Sequence, residues 1–246
     1  MLFTASTSNA APIVAFNNMS NFQNSVPGAL VGSISNTPNT FMGGGYTLVP
    51  GTISITGFDL YPTNQSGTSF TGLKLNIFVW GTVNTGTVNA STPAFGNLLG
   101  NYTFTESGTY PSGNSFSFEG SPVGSAPGIT LATPLALPDT TIGLTFNYQG
   151  TTDGINYNSV NSLTSLISYG TAPTVGSQVF NGYYRNANSE VNGNFTSTLR
   201  SVGQQNQSLA LRIYGEVTNA VPEPSIIWLF GAGALAWRGT RTRRRG

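Results

Sequence analysis

Apolar and polar positions alternate with a period of two along most of this chain, and hardly anywhere with the 3.6-residue period of a helix. In residues 70–81 (FTGLKLNIFVWG), Leu73, Leu75, Ile77 and Val79 alternate with Lys74, Asn76, Phe78 and Trp80. Successive side chains of a strand point to opposite faces, so this segment predicts a strand with one wholly apolar face. Ile142, Leu144, Phe146 and Tyr148 alternate in the same way with Gly143, Thr145 and Asn147, as do Leu209, Leu211 and Ile213 with Ala210, Arg212 and Tyr214. Shorter candidates at 52–60, 98–105, 115–119, 128–132 and 178–184 are separated by Gly, Pro, Asn and Asp, which favour turns. Many short strands without interleaved helices predict an all-β body, an antiparallel β-sandwich of jelly-roll type. No repeat of fixed period occurs, which argues against a solenoid or propeller.

The pattern changes in the last 26 residues, VPEPSIIWLFGAGALAWRGTRTRRRG. Pro222 and Pro224 lack backbone donors and bias the residues before them away from helix, so the segment 221–224 is expected to be extended and open to a processing enzyme. Residues 226–237 (IIWLFGAGALAW) are apolar or small and predict a helix of about 18 Å at a rise of 1.5 Å per residue. Trp228 and Trp237 bracket this run as interfacial aromatics, and Arg238 can snorkel to the headgroups. Arg241, Arg243, Arg244 and Arg245 follow, so that five of the nine basic residues fall in the last nine positions. By the positive-inside rule they place the tail in the cytoplasm and the body outside, with a single C-terminal transmembrane helix between.

Pro222, Glu223 and Pro224, the apolar helix with Gly231 and Gly233, and the terminal arginine cluster together resemble the PEP-CTERM sorting signal of Gram-negative, exopolysaccharide-producing bacteria. The resemblance covers about a tenth of the chain. It implies that an exosortase recognises Pro222, Glu223 and Pro224 at the membrane, cuts near them and passes the body to the cell surface or extracellular matrix. At the other end, Ser8, Asn9 and Ala10 carry the small residues a signal peptidase needs, without the basic and apolar regions that normally precede them. Residues 1–10 are therefore read as the remnant of a signal peptide, 11–216 as the β-sandwich, 217–221 as a linker and 222–246 as the sorting signal.

Composition agrees with export and excludes much chemistry. Hydrophobic residues make up 38% of the chain, too many for a disordered polymer, while charged residues make up only 7%. Residues 1–220 hold four basic and seven acidic side chains, a net −3, which offers no basic footprint for nucleic acid. Cysteine and histidine are both absent, so thiolate chemistry, disulfides and the usual nucleophile–base pairs cannot be built. No cofactor motif survives inspection, because the one match to a dinucleotide fingerprint (Gly231, Gly233, Ala236) lies in the apolar tail. Asp59, Asp139 and Asp153 fall in loop-like surroundings that could suit calcium, but no carboxylates at ligand spacing accompany them and no metal is expected.

Two functions from different classes follow for the body. In the first it is a non-catalytic structural, adhesive or polysaccharide-binding component. Phe78 and Trp80, with Tyr183 and Tyr184 beside Arg185, are then candidate platforms for stacking on the rings of an exopolysaccharide. In the second it is a carbohydrate-active enzyme with Glu106 and Glu119 as its carboxylate pair, which requires the two to lie about 5 to 10 Å apart in a cleft. The first is the expectation here.

Overall fold

The computed structural model describes residues 12–19, 41–159, 163–165, 167–168, 172–185, 194–196 and 208–218. The chain begins with β1 (Ile13–Asn17), β2 (Met42–Thr47), β3 (Thr52–Leu60), β4 (Pro62–Asn64), β5 (Phe70–Val83), β6 (Phe95–Tyr110), β7 (Ile129–Ala136) and β8 (Thr141–Thr151). Short pairings follow at β9 (Asn158–Ser159), β10 (Leu163–Ser165), β11 (Ile167–Ser168), β12 (Ser177–Gln178), β13 (Tyr184–Arg185) and β14 (Ser208–Leu209), and the last strand is β15 (Leu211–Val217). No α-helix occurs among the described residues.

These strands form two main antiparallel sheets. One has four strands in the order β1-β15-β3-β7, and the other has seven, with β12-β2-β8-β5-β6 as its path, β13 added on β2 and β9 on β8. Alternation explains how they close on each other. Leu73, Leu75, Ile77 and Val79 of β5 and Ile142, Leu144, Phe146 and Tyr148 of β8 share one buried cluster with Phe16 of β1, Ile55, Phe58 and Leu60 of β3, and Leu211 and Ile213 of β15. Fully burying each such side chain stabilises the fold by about 1.5–3 kcal/mol, so this inter-sheet layer is the principal core.

The predicted strand at 52–60 coincides with β3, and the alternating runs at 70–81 and 142–148 lie inside β5 and β8. The run at 98–105 is the middle of the longer β6, and 128–132 lies largely in β7. Residues 115–119 do not form a strand: they make single bridges from Ser115 to Thr63, Phe118 to Leu60 and Glu119 to Pro127. The stretch 178–184 likewise resolves into the ends of two two-residue pairings. Sequence alternation missed β2, whose MGGGYT has only Met42 and Tyr46 as core anchors, and β1, which pairs with β15 from Ile13↔Gly215 to Asn17↔Arg212. Val217 still pairs with Thr52 and the Thr218 N–H bonds to Gly51 O, so strand pairing continues into the stretch read as linker. Residues 1–10, expected to be a signal-peptide remnant, and 222–246, expected to hold a transmembrane helix within a sorting signal, lie outside the described residues.

Candidate functional site

The face of the seven-stranded sheet turned away from the core was expected to present aromatic rings. Register places Trp80 beside Gly143 and Phe78 beside Thr145, while Gly43 and Gly45 of β2 continue those two rows. This glycine-lined floor is covered. A second buried cluster lies on it, made of Phe41, Trp80, Val88, Ala94, Phe95, Tyr184 and Phe195, with Phe78, Val83 and Phe180 packed against it. A Cβ at Gly143 would stand 2.3 Å from the Phe95 ring, and one at Gly43 2.9 Å from Phe195, so only glycine lets these rings reach the sheet.

The four candidate platform residues are thereby accounted for. Trp80 is 6% exposed, stacks on Phe95 at a centroid distance of 6.4 Å and donates its indole N–H to Thr145 Oγ1 at 3.1 Å. Tyr184 is buried and stacked on Phe195 at 5.3 Å, while its neighbour Tyr183 points the other way into the inter-sheet core. Phe78 is half-buried, its ring edge-on to Phe41 at 5.5 Å. The expected open stacking platform is therefore corrected: Trp80, Tyr183 and Tyr184 are interior, and the outer-face rings spend their faces on one another. Large aromatics gain more from burial than from solvent, and a covering loop supplies it. Beside them the same face is polar. Asn76 Nδ2 donates to Asn147 Oδ1 at 2.7 Å and Thr103 Oγ1 donates to Asn76 Oδ1 at 2.9 Å, a ladder across β8, β5 and β6.

The chemistry of charge is concentrated elsewhere, around Arg212 on β15. Its Nη1 donates to Asp59 Oδ2 at 3.0 Å, Glu119 Oε1 at 2.8 Å and the Tyr61 hydroxyl at 2.8 Å. Asp59 is fully buried on β3 rather than in a loop, and it accepts two further bonds, from Tyr214 Oη at 2.6 Å and from the Gly128 N–H at 2.8 Å. Tyr61 donates to Glu119. Burial alone would raise the Glu119 carboxyl, but hydrogen bonds from Tyr61 and Arg212 outweigh it and hold the group below its ordinary value. The guanidinium is held above its ordinary value by the bonds to Glu119 and Asp59, against the opposing effect of its own burial. Two strands, β3 and β15, thus pin the 115–128 segment through one cation. Asp59 and Glu119 stand out singly in the sequence but their shared partner Arg212 does not, because partners on different strands leave no local spacing signal.

Glu106 and Glu119 sit in different surroundings, Glu119 being bound by Arg212 and Tyr61. Glu106 is exposed on β6 and borders a cavity of about 160 Å³ lined by Leu73, Leu75, Phe104, Phe118 and Ile129, to which Glu119 does not contribute. That cavity shares Phe104 and Thr130 with a shallower groove of about 580 Å³ between β6 and β7, where Tyr102, Thr103, Thr133 and Leu135 take part. Asp139 caps Thr140, and Asp153 is held well below the usual carboxylate range by the backbone N–H groups of Asn156 and Ile155, with Thr151 Oγ1 also donating to it. Among the described residues no group of three carboxylates could hold a metal ion.

Pro222, Glu223, Pro224, Trp228, Trp237, Arg238, Arg241, Arg243, Arg244 and Arg245 all lie outside the described residues. For them the comparison with known families speaks instead: the family model described as the PEP-CTERM protein-sorting motif matches residues 220–245. The chain carries this sorting motif, whose processing partner is an exosortase and whose route leads through the cell envelope to the surface. No curated protein and no solved structure matches the chain.

Proposed function

We propose that this chain is an exosortase substrate whose sorting tail delivers a jelly-roll sandwich to the surface or extracellular matrix of a Gram-negative cell, where the body acts as a structural or adhesive component. The match of the sorting motif to residues 220–245 carries the reading. The tail inserts as a transient transmembrane helix, with Trp228 and Trp237 at its ends and Arg238 and the arginines beyond it on the cytoplasmic side. The jelly-roll reading is supported by the long strands taken in chain order. The first neighbours the last and the third neighbours the sixth in one sheet, while the second neighbours the seventh and the fourth the fifth in the other, counting β1, β2, β3, β5, β6, β7, β8 and β15.

A non-catalytic role is favoured by the state of the carboxylates. A glycosidase needs one carboxyl kept protonated and one ionised across a substrate cleft. Glu119, one of the two carboxylates named for such a pair, is instead bound by the Arg212 guanidinium and held below its ordinary value. Exopolysaccharide is the proposed neighbour in the matrix, met by the neutral Asn- and Thr-rich surface rather than by the interior rings.

Mass spectrometry of both termini of the protein recovered from the native cell surface tests the sorting reading. A mature chain ending close to Pro222 is expected, together with full-length chain in cells lacking the exosortase. Recovery of surface protein still carrying Arg243, Arg244 and Arg245 would overturn it.

A further inference from the structure

The seven-stranded sheet ends on β6, whose outward N–H and C=O groups have no strand partner among the described residues. Exposed edges of this length are ordinarily blunted by lysine, proline or repeated charge. Between 100 and 107 β6 pairs with β5 without a break, from Val79↔Gly100 to Gly72↔Ser107, and register irregularities flank the run on both sides. This run, GNYTFTES, contains no Lys or Pro and a single charged residue, Glu106. Asn101, Thr103 and Thr105 are exposed on one face, while Tyr102 and Phe104 stand half-buried on the core side with their rings stacked at 6.5 Å.

We infer that this run pairs antiparallel with the same run of a second copy, joining two seven-stranded sheets about a two-fold axis at Thr103. A two-fold axis normal to a continuous sheet sets residues of like face opposite each other. Within the unbroken run, centring on Thr103 sets Tyr102 opposite the second copy's Phe104 twice over, Asn101 opposite Thr105, and Thr103 opposite itself. Aromatic–aromatic and Thr–Thr pairs are among the favourable cross-strand neighbours. The two acidic groups avoid each other, because each Glu106 faces a Gly100. Moving the centre to Phe104 would instead set Glu106 opposite Tyr102. The Thr103 register thus sets like faces together, aromatic against aromatic, and keeps the two acidic groups apart. This inference does not depend on the tail or on exosortase.

The chain has no cysteine, which gives a position-specific test in the full-length protein held in a mild non-ionic detergent. Thr103→Cys is expected to form a disulfide-linked dimer under mild oxidation at least tenfold faster than Ile155→Cys, a control on a turn where the residue is 79% exposed. Thr103→Lys, which sets two ammonium groups opposite each other, is expected to shift the sedimentation mass from dimer to monomer with an unchanged far-ultraviolet spectrum. Thr103→Ser is expected to remain dimeric. Equal crosslinking rates for the two cysteine variants, or an association that survives Thr103→Lys as one made through the apolar tail would, overturns the proposal.

Discussion

At the scale of single residues, the contrast between Arg212 and Tyr46 separates two kinds of buried polar group. Arg212 satisfies two carboxylates at once, and removing it leaves the fully buried Asp59 without its counter-charge. Arg212→Met is expected to destabilise the body by about 3–5 kcal/mol, measured by guanidinium unfolding. Glu119 adds a pH dependence of definite sign. Because its folded value lies below its unfolded one, its contribution is complete above the ordinary carboxylate range and is lost as pH falls through the lower folded value. Melting temperatures of the parent and of Glu119→Gln should therefore differ at neutral pH and converge in acid. Tyr46 is the opposite case: it is fully buried in the core, and its hydroxyl has no hydrogen-bond partner among the described residues. Tyr46→Phe keeps the ring and discards the orphan, so a gain of about 1 kcal/mol in the same unfolding assay is expected.

At the scale of elements, β8 shows what alternation conveys and what it hides. Its inward face was legible in Ile142, Leu144, Phe146 and Tyr148, and the structure buries all four. Its outward face, read as the polar side, is buried too: Thr145 and Asn147 are covered, and Gly143 lies under Phe95. A period of two reports that a strand has two different faces, but not that a loop will return to cover the polar one. The same limit explains the misplaced platform at Trp80 and Tyr184, and the failure to see β2, whose glycines make room for rings that come from far along the chain. Asn18 and Asn64, each the first residue of an Asn-x-Ser triplet that could be read as a surface signal, are buried structural amides. Asn18 bonds to both Leu209 and Leu211, and Asn64 to Tyr110. Gly143→Ala tests the glycine floor: displacement of Phe95 should cost about 1–3 kcal/mol and alter the near-ultraviolet dichroism of Trp80, which stacks on it.

At the scale of the molecule, address and cargo are written in different languages. The tail is a contiguous signal, so its proline pair, apolar run and arginines were readable in order, and the match at 220–245 agrees with that reading. The body's key features are relations between distant strands, which no local motif announces. Replacing Pro222, Glu223 and Pro224 with alanine is expected to leave the arginine cluster on the chain and the body in the membrane fraction, as read by intact mass and fractionation. The fold also sets how tension would enter the body. The chain leaves through β15, an interior strand held by β1 on one side and β3 on the other, with the Thr218 N–H bonded to Gly51 O at 2.9 Å just beyond it. A pull applied at the C-terminal end of the body therefore meets two hydrogen-bonded ladders and the Arg212 clasp together, rather than an edge strand that could peel away one bond at a time.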